Sequence, residues 1–491
     1  MRQLTALDAQ FLNAESETTA AHVAGLAVLD PADGAVDREA LARLLSERVH
    51  LSPALSLRLA EVPLGLDRPY WTADPGFDLS NHLFETWLPA PGDERALAAE
   101  VAAIHARRLD RAHPLWEMHL IHGLAGGRVA VYTKVHHAAI DGVSGAETLA
   151  TLLDLSPECR AVEPVEEDQE GAPDLLGMLT GAAVRGATYP VRALGSLARA
   201  AGDLDAIPLA GTLPGARLIA RTARLLTGDR KPRAELPRLT APRTPLNGPI
   251  SGRRELSFGS VPLKDVKAVA RAHGLSVNDV VMTLCAAALR AWLQERDALP
   301  EEPLLAAVPV AVRTAGARDV VGNQISAMAA PMATDIADPH ERLRTMGATM
   351  RAAKRRFAQA PADWLGELCS ILPAPVTSMA TPAVFRLASV AFPPINLIIS
   401  NVPGPQFPLY LCGGRVLSYY PMSVLTDLSG GINITCFSYD GMLDFGIVAC
   451  PERVDDVWSL IGFLRKALDE LLDERVGDEL GDRVGVDLVA R

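Results

Sequence analysis

Over Arg128–Val135 the chain alternates, with Val129, Val131, Thr133 and Val135 on one face and Ala130, Tyr132 and Lys134 on the other. After HHAAIDG (His136–Gly142) the period changes to that of a helix: Ser144 stands three positions before Glu147, and ETLATLLDL follows. A period of two specifies a strand, and a serine with a carboxylate three residues on is a capping box, so a helix is expected to open at Ser144. A strand that passes through so short a joint into a helix commits this part of the chain to mixed α/β layers. It also puts HHAAIDG on a strand-to-helix connection, where backbone dipoles and side chains converge.

The same alternation of elements recurs elsewhere. HVAGLAVLD (22–30) reads as a strand, and 36–49 and 93–109 carry helical periodicity, the latter acidic at its start and basic at its end as a helix dipole favours. Between 157 and 250 lie an acidic, Pro-containing piece, helical segments including LPGARLIARTARLLTG, and the extended LPRLTAPRTPLNGPISG. We read this as a crossover joining an N-terminal lobe (1–156) to a C-terminal one (251–491). In the second lobe VNDVVMTLCAAALRAWLQER is helical, LLAAVPVAV and INLIIS are strands, and INITCFSYDGMLDFGIVA is a hairpin turning at Asp440-Gly441.

Composition narrows the function classes. The 491 residues carry a formal charge of −12 with nearly all the basic charge on Arg, which argues against a nucleic-acid binder. A content of 49% hydrophobic residues is that of a globular chain. The six cysteines form no CxxC pair, as expected of free thiols in a reducing compartment. The N-terminus turns polar and acidic too early for a secretory signal, and no apolar run reaches the roughly 18 residues of a membrane span. The chain is expected in the cytoplasm, with peripheral attachment to a membrane left open by the Arg-bearing helix around Arg217, Arg221 and Arg224.

His136 and His137 are adjacent, so on extended backbone they point to opposite sides and do not share an ion; His119 and His122 are split in the same way, and no HExxH occurs. No metal is expected. No GxSxG elbow is present either. The partners of a nucleophile need only meet in space, so that option stays open; a third is a lone imidazole acting as general base, whose pKa lies near neutrality and which takes a proton from a hydroxyl or amine attacking a carbonyl. Asp141 can lock the turn through an Arg partner, and Gly142 permits a backbone angle or close approach that other residues resist.

HHAAIDG matches the HHxxxDG motif of the CoA-dependent acyltransferases. LTALDAQFL, FDLSNH, LPAPGD, RLDRAHPLWEMHLIHGLAGGRVAVYTKVHH, PLNGPISGRR, SVNDVV, VPVAVR followed by GNQIS, and SNVPGP occur in order along essentially the whole chain. Together they resemble the bacterial wax ester synthase/diacylglycerol acyltransferase family. One stretch departs from it: where the family carries a Pro-Met-His-Val-Gly-like segment, this chain has AAHVAG around His22.

The resemblance implies an α/β fold of the α+β type with two chloramphenicol-acetyltransferase-like lobes. Each is a mixed sheet flanked by helices, and the active-site tunnel runs at their interface. It implies acyl-CoA as co-substrate, no bound cofactor, and diacylglycerol or a long-chain alcohol as acceptor, met at a membrane or lipid-droplet surface. His137 is then the base and His136 positional. Asp141 is paired with Arg313, and Gly142 and Pro114 are structural. Asn278 is a donor to the developing oxyanion or, alternatively, a helix N-cap. Ser400 and Asn401 line the site or form a structural turn. Two other functions fit the same residues less closely: a catalytically silent lipid-binding or lipid-droplet protein, and an acyltransferase for another alcohol or an amine.

Overall fold

The computed structural model describes residues 2–31, 36–140, 142–162, 175–203, 216–227, 239–311, 325–359, 369, 372–391 and 393–487. Two six-stranded mixed sheets dominate it. A small antiparallel sheet of β1 (Arg2–Gln3), β4 (Tyr70–Ala73) and β3 (Leu57–Ala60) stands beside them.

The first large sheet runs β12 (Tyr410–Leu411), β13 (Gly414–Met422), β2 (His22–Asp30), β7 (Val129–His136), β6 (Trp116–His122), β5 (Leu83–Trp87). The second runs β10 (Ile325–Met332), β9 (Leu304–Ala311), β11 (Leu397–Pro403), β14 (Ile432–Tyr439), β15 (Met442–Ala449), β8 (Glu255–Pro262). Each mixes parallel and antiparallel neighbours.

The architecture is thus the two-lobed mixed α/β fold expected. The lobes, however, exchange chain: β12 and β13, from the C-terminal half, extend the first sheet, and β13 pairs with β2. Boundaries at 156 and 250 do not describe this exchange. At the junction β15 presses against β13 so closely that the carbonyl of Pro421 occupies the place a Cβ on Gly446 would take. There the buried Asp444 accepts from the Tyr419 backbone N–H (2.8 Å) and from Ser260 Oγ (2.6 Å). Burial pushes its carboxyl up to about 6, against those two hydrogen bonds.

Local sequence explains most elements. β7 is the strand read from its alternation, its odd residues packing with Leu120 and Met118 and its even ones with Leu26 and the helix Glu94–His105. The β14–β15 hairpin turns at Asp440 and Gly441, with φ of 41° and 83°, the two positive angles a type I′ turn demands. The helix Val277–Gln294 is opened by a capping box from Ser276 to Asp279. No single helix among the described residues is long and apolar enough to cross a membrane.

One expectation fails. The helix after the histidines spans Gly142–Leu152, so Ser144 lies inside it and does not cap it. The helix starts two residues early because the tight turn after β7 already brings the backbone round at Ala139.

Candidate active site

Backbone hydrogen bonds hold the end of β7 from both sides. The N–H of His136 donates to Leu115 O (2.9 Å) within PLWE, and that of His137 donates to Ala21 O (2.8 Å) just before β2. The Ala139 N–H closes the turn onto His136 O at 2.9 Å. The two imidazoles therefore leave the chain at a fixed point with different surroundings.

His136 is buried, with Nδ1 hydrogen-bonded and Nε2 facing a carboxylate. Nδ1 accepts from the Ala138 N–H at 3.0 Å, which assigns the ring proton to Nε2. Nε2 faces Glu15 Oε1 at 3.3 Å. Glu15 is itself held by Arg111, whose NH2 donates to Oε2 at 2.7 Å and also to Leu12 O at 2.8 Å. Burial pushes the Glu15 carboxyl up, but the contacts with His136 and Arg111 outweigh it and bring it down to about 2. The carboxylate is a fixed negative charge that orients the His136 ring.

His137 is half-buried and lies flat on the ring of Phe11, with 3.9 Å between centroids and 6° between planes. Phe11 belongs to the helix Ala6–Ala14, itself opened by a capping box between Thr5 and Asp8. This stack fixes the plane of the imidazole.

Behind the pair is a buried polar layer. His22 faces His136 across the β2–β7 ladder, and neither of its ring nitrogens has a hydrogen-bond partner among the described residues. It meets His105 edge-on at 4.6 Å, and His105 Nδ1 lies 2.6 Å from the Tyr132 hydroxyl. Burial, then the charges on His105 and Lys134, hold His22 well below the ordinary histidine range. The segment that departs from the family pattern thus builds the floor of the His–His turn.

The other sequence-predicted residues divide. Asp141 and Arg313 lie outside the described residues, as do the side-chain surroundings of Gly142, which opens its helix. Asn278 is not an N-cap: Ser276 fills that position, and Asn278 sits in the first turn. Its Oδ1 accepts from Asn401 Nδ2 at 3.2 Å, which directs the Asn278 NH2 away from Asn401. The structure thus joins two of the predicted residues. Ser400 is not with them: neighbours on β11 alternate sides, Asn401 sharing the face of Ile399 while Ser400 shares that of Ile398. Pro114 shapes the turn into β6, its carbonyl accepting from the Trp116 N–H.

His119 and His122 are occupied by carboxylates, Glu117 at 3.0 Å and Glu85 at 2.8 Å. Among the described residues no group of three or more His, Cys, Asp or Glu is arranged for a metal.

Sequence reasoning missed Phe11, Glu15 and Arg111. They meet the histidines only through the fold, but two of them lie in stretches that carried the resemblance, Phe11 in LTALDAQFL and Arg111 in RLDRAHPLWE. Glu15 follows just after the first of these.

Residues 4–281 match the model of the wax ester synthase/diacylglycerol acyltransferase catalytic domain, and residues 321–472 match that of the WS/DGAT C-terminal domain. A Mycobacterium tuberculosis protein named as a probable diacylglycerol O-acyltransferase, tgs2, is 34% identical over 94% of this chain and 97% of its own length. A second protein of that organism, Rv3740c, is 37% identical over 95% of this chain and 99% of its own. Among solved structures, the wax ester synthase/diacylglycerol acyltransferase from Marinobacter aquaeolei VT8 aligns with a TM-score of 0.66 at 30% identity, covering 96% of this chain and 98% of that one. The starter condensation domain of rhizomide synthetase shares the fold at 14% identity, with a TM-score of 0.51 over 96% of this chain and 95% of its own.

Proposed function

Because the chain belongs to the wax ester synthase/diacylglycerol acyltransferase family, we propose that it is an O-acyltransferase that moves a long-chain acyl group from acyl-CoA to diacylglycerol, and to long-chain alcohols as a second acceptor, with His137 as general base. The observation that carries the choice of base is the enclosure of His136, which is buried with Nδ1 bonded to the Ala138 N–H and Nε2 turned to the buried Glu15 carboxylate. Of two adjacent imidazoles, one is a fixed part of the frame. The other lies against an aromatic face at the end of the strand.

The step is direct. His137 takes the proton of the acceptor hydroxyl as its oxygen attacks the thioester carbonyl carbon. The carbonyl oxygen gains negative charge, which a preorganised amide donor stabilises. We assign that donor to Asn278, whose NH2 is oriented by Asn401. The carbon–sulfur bond then breaks, and CoA leaves with the proton held by His137. No acyl-enzyme forms and no cofactor takes part. Asp141 and Arg313 are proposed to pair and hold the turn.

An acceptor this apolar must be met at a lipid surface. The helix Ala374–Ala391 exposes Val376, Met379, Val384, Leu387 and Val390. It packs on the Phe11-bearing helix, with Gln10 Nε2 donating to Thr381 Oγ1 at 2.8 Å. We propose this face as the contact with a membrane or lipid droplet, beside the site that the acceptor must reach.

The test is CoA release and labelled ester formation from palmitoyl-CoA with dioleoylglycerol or hexadecanol, by wild type and by folded His137→Ala. Triacylglycerol formed by wild type and lost in the variant supports the reading. Equal, slow CoA release from both overturns it.

A further inference from the structure

A cavity of about 520 Å³ lies on one face of the first sheet, walled by Leu149 and Leu153 after the histidine motif, by Phe407, by Tyr419 of β13, and by Phe437 and Tyr439 of β14. Its charged groups, Asp154, Glu158 and Arg160, belong to the short segment that closes one side. The volume is that of a small-molecule site and holds an apolar chain on the order of ten carbons or more.

The ladder registers connect this cavity to His137. Ala21 stands beside His137, and His22 pairs with His136. Gly25, four residues along β2 from Ala21, is therefore about 14 Å away at the rise of a strand. It pairs with Thr133, on the face of β7 that also carries Val131 and Val135. Above Gly25 lies the ring of Tyr419, which occupies the place a Cβ would take. The helix Gly142–Leu152 leaves the motif along the same face and reaches the cavity at Leu149. From His137 the same sheet face runs past Val23 and Val135 to Gly25 and Thr133, where the Tyr419 ring is packed on Gly25 and itself lines the cavity.

We propose that this cavity takes the distal part of the acyl chain while the thioester is at His137, and that Tyr419, lying on Gly25 between the His137 end of the sheet face and the cavity, is the specificity-determining residue. Tyr419 acts by position, and chains too short to pass it do not sense the cavity. The inference rests on the acyl transfer proposed above and deepens it.

Two measurements test it. The first compares kcat/KM for hexanoyl-CoA and palmitoyl-CoA in wild type, Leu149→Trp and Tyr419→Ala. Filling the cavity with Leu149→Trp is expected to lower the palmitoyl value about 100-fold and the hexanoyl value less than about threefold. Tyr419→Ala is expected to raise the palmitoyl-to-hexanoyl ratio severalfold. Equal losses on both chains by folded variants, or no loss from Leu149→Trp, overturn the proposal.

The second uses palmitoyl-CoA with a terminal diazirine, photolysed on the full chain and mapped by peptide mass, and needs no turnover. Label in the peptides bearing Leu149–Leu153 or Tyr419 supports the cavity; label elsewhere overturns it, even in an active enzyme. Label in the cavity of a protein that transfers no acyl group overturns the acyltransferase reading and leaves the binding site standing.

Discussion

The ring of Phe11 and the imidazole of His137 lie parallel, 3.9 Å apart between centroids. Such a stack holds the imidazole plane, and the electron-rich ring face favours the imidazolium formed as the acceptor loses its proton. Phe11→Leu keeps most of the apolar volume and removes both effects. We expect kcat to fall about five- to tenfold, the equivalent of roughly 1 kcal/mol. Steady-state rates at saturating substrates check this, with the thermal midpoint to show that the fold is intact.

The neighbouring histidines should separate cleanly. His137→Ala removes the proposed base from a half-buried position and is expected to lower kcat at least about 100-fold, with little change in unfolding midpoint. His136→Ala leaves the Ala138 N–H without its acceptor, removes one of the contacts of the buried Glu15 and opens a cavity in a buried place. It is expected to cost about 2–4 kcal/mol of stability. Denaturant unfolding of the two variants, read beside their rates, checks the assignment.

Glu15 gives a pH signature. Its carboxyl is brought down to about 2 in the folded protein, from the 4.5 of an ordinary glutamate. A group with a depressed folded pKa contributes stability that is fully present above the unfolded value and lost as the pH falls from there toward the folded one. The window is therefore about 4.5 down to about 2. Glu15→Gln is expected to lower stability at pH 7 by about 2–3 kcal/mol and to flatten the acid limb across that window. Urea midpoints measured from pH 7 to pH 3 check it.

Asn278 and Ser276 sit two residues apart and should behave differently. Ser276 caps the helix and Asn278 does not. Ser276→Ala is expected to cost about 1 kcal/mol of stability. Asn278→Ala should leave stability nearly unchanged and lower kcat about 10²-fold, the usual loss on removing one oxyanion donor. Asn401→Ala, which frees the Asn278 amide, is expected to fall between wild type and Asn278→Ala in rate. Rate and stability measured together distinguish the two roles.

What could be read in advance follows the range of the interactions. β7 and the β14–β15 hairpin are written in local period and a positive-φ turn, so each is legible within a short window; the Val277–Gln294 helix is legible in its period, while its cap is Ser276 and not the Asn278 that the sequence offered. The helix start at Gly142 was misread because Ser144 and Glu147 satisfy a capping pattern that the tighter turn at His136–Ala139 pre-empts. The motif named the histidines but not their supports. Glu15, Phe11 and Ala21 reach them across more than a hundred residues of sequence. The insertion of β13 next to β2 is likewise a long-range pairing that neither strand's composition announces.

That insertion makes Gly446 the sharpest probe of the lobe junction. Pro421 O stands where its Cβ would be, and both partners are backbone of paired strands, so neither side yields easily. Gly446→Ala must push β13 from β15 and strain the Tyr419–Asp444 hydrogen bond. A cost of about 3 kcal/mol or more is expected, as for a core forced to accept an extra group. Gly462→Ala is the control. It lies on an exposed face of the helix Val457–Asp487 with nothing within 4 Å of an added Cβ. There alanine should stabilise by up to about 1 kcal/mol through helix propensity. Opposite shifts in unfolding midpoint for the two glycines are the expected result. If Gly446→Ala instead unfolds with wild type, the close passage of β13 over β15 does not exist in solution.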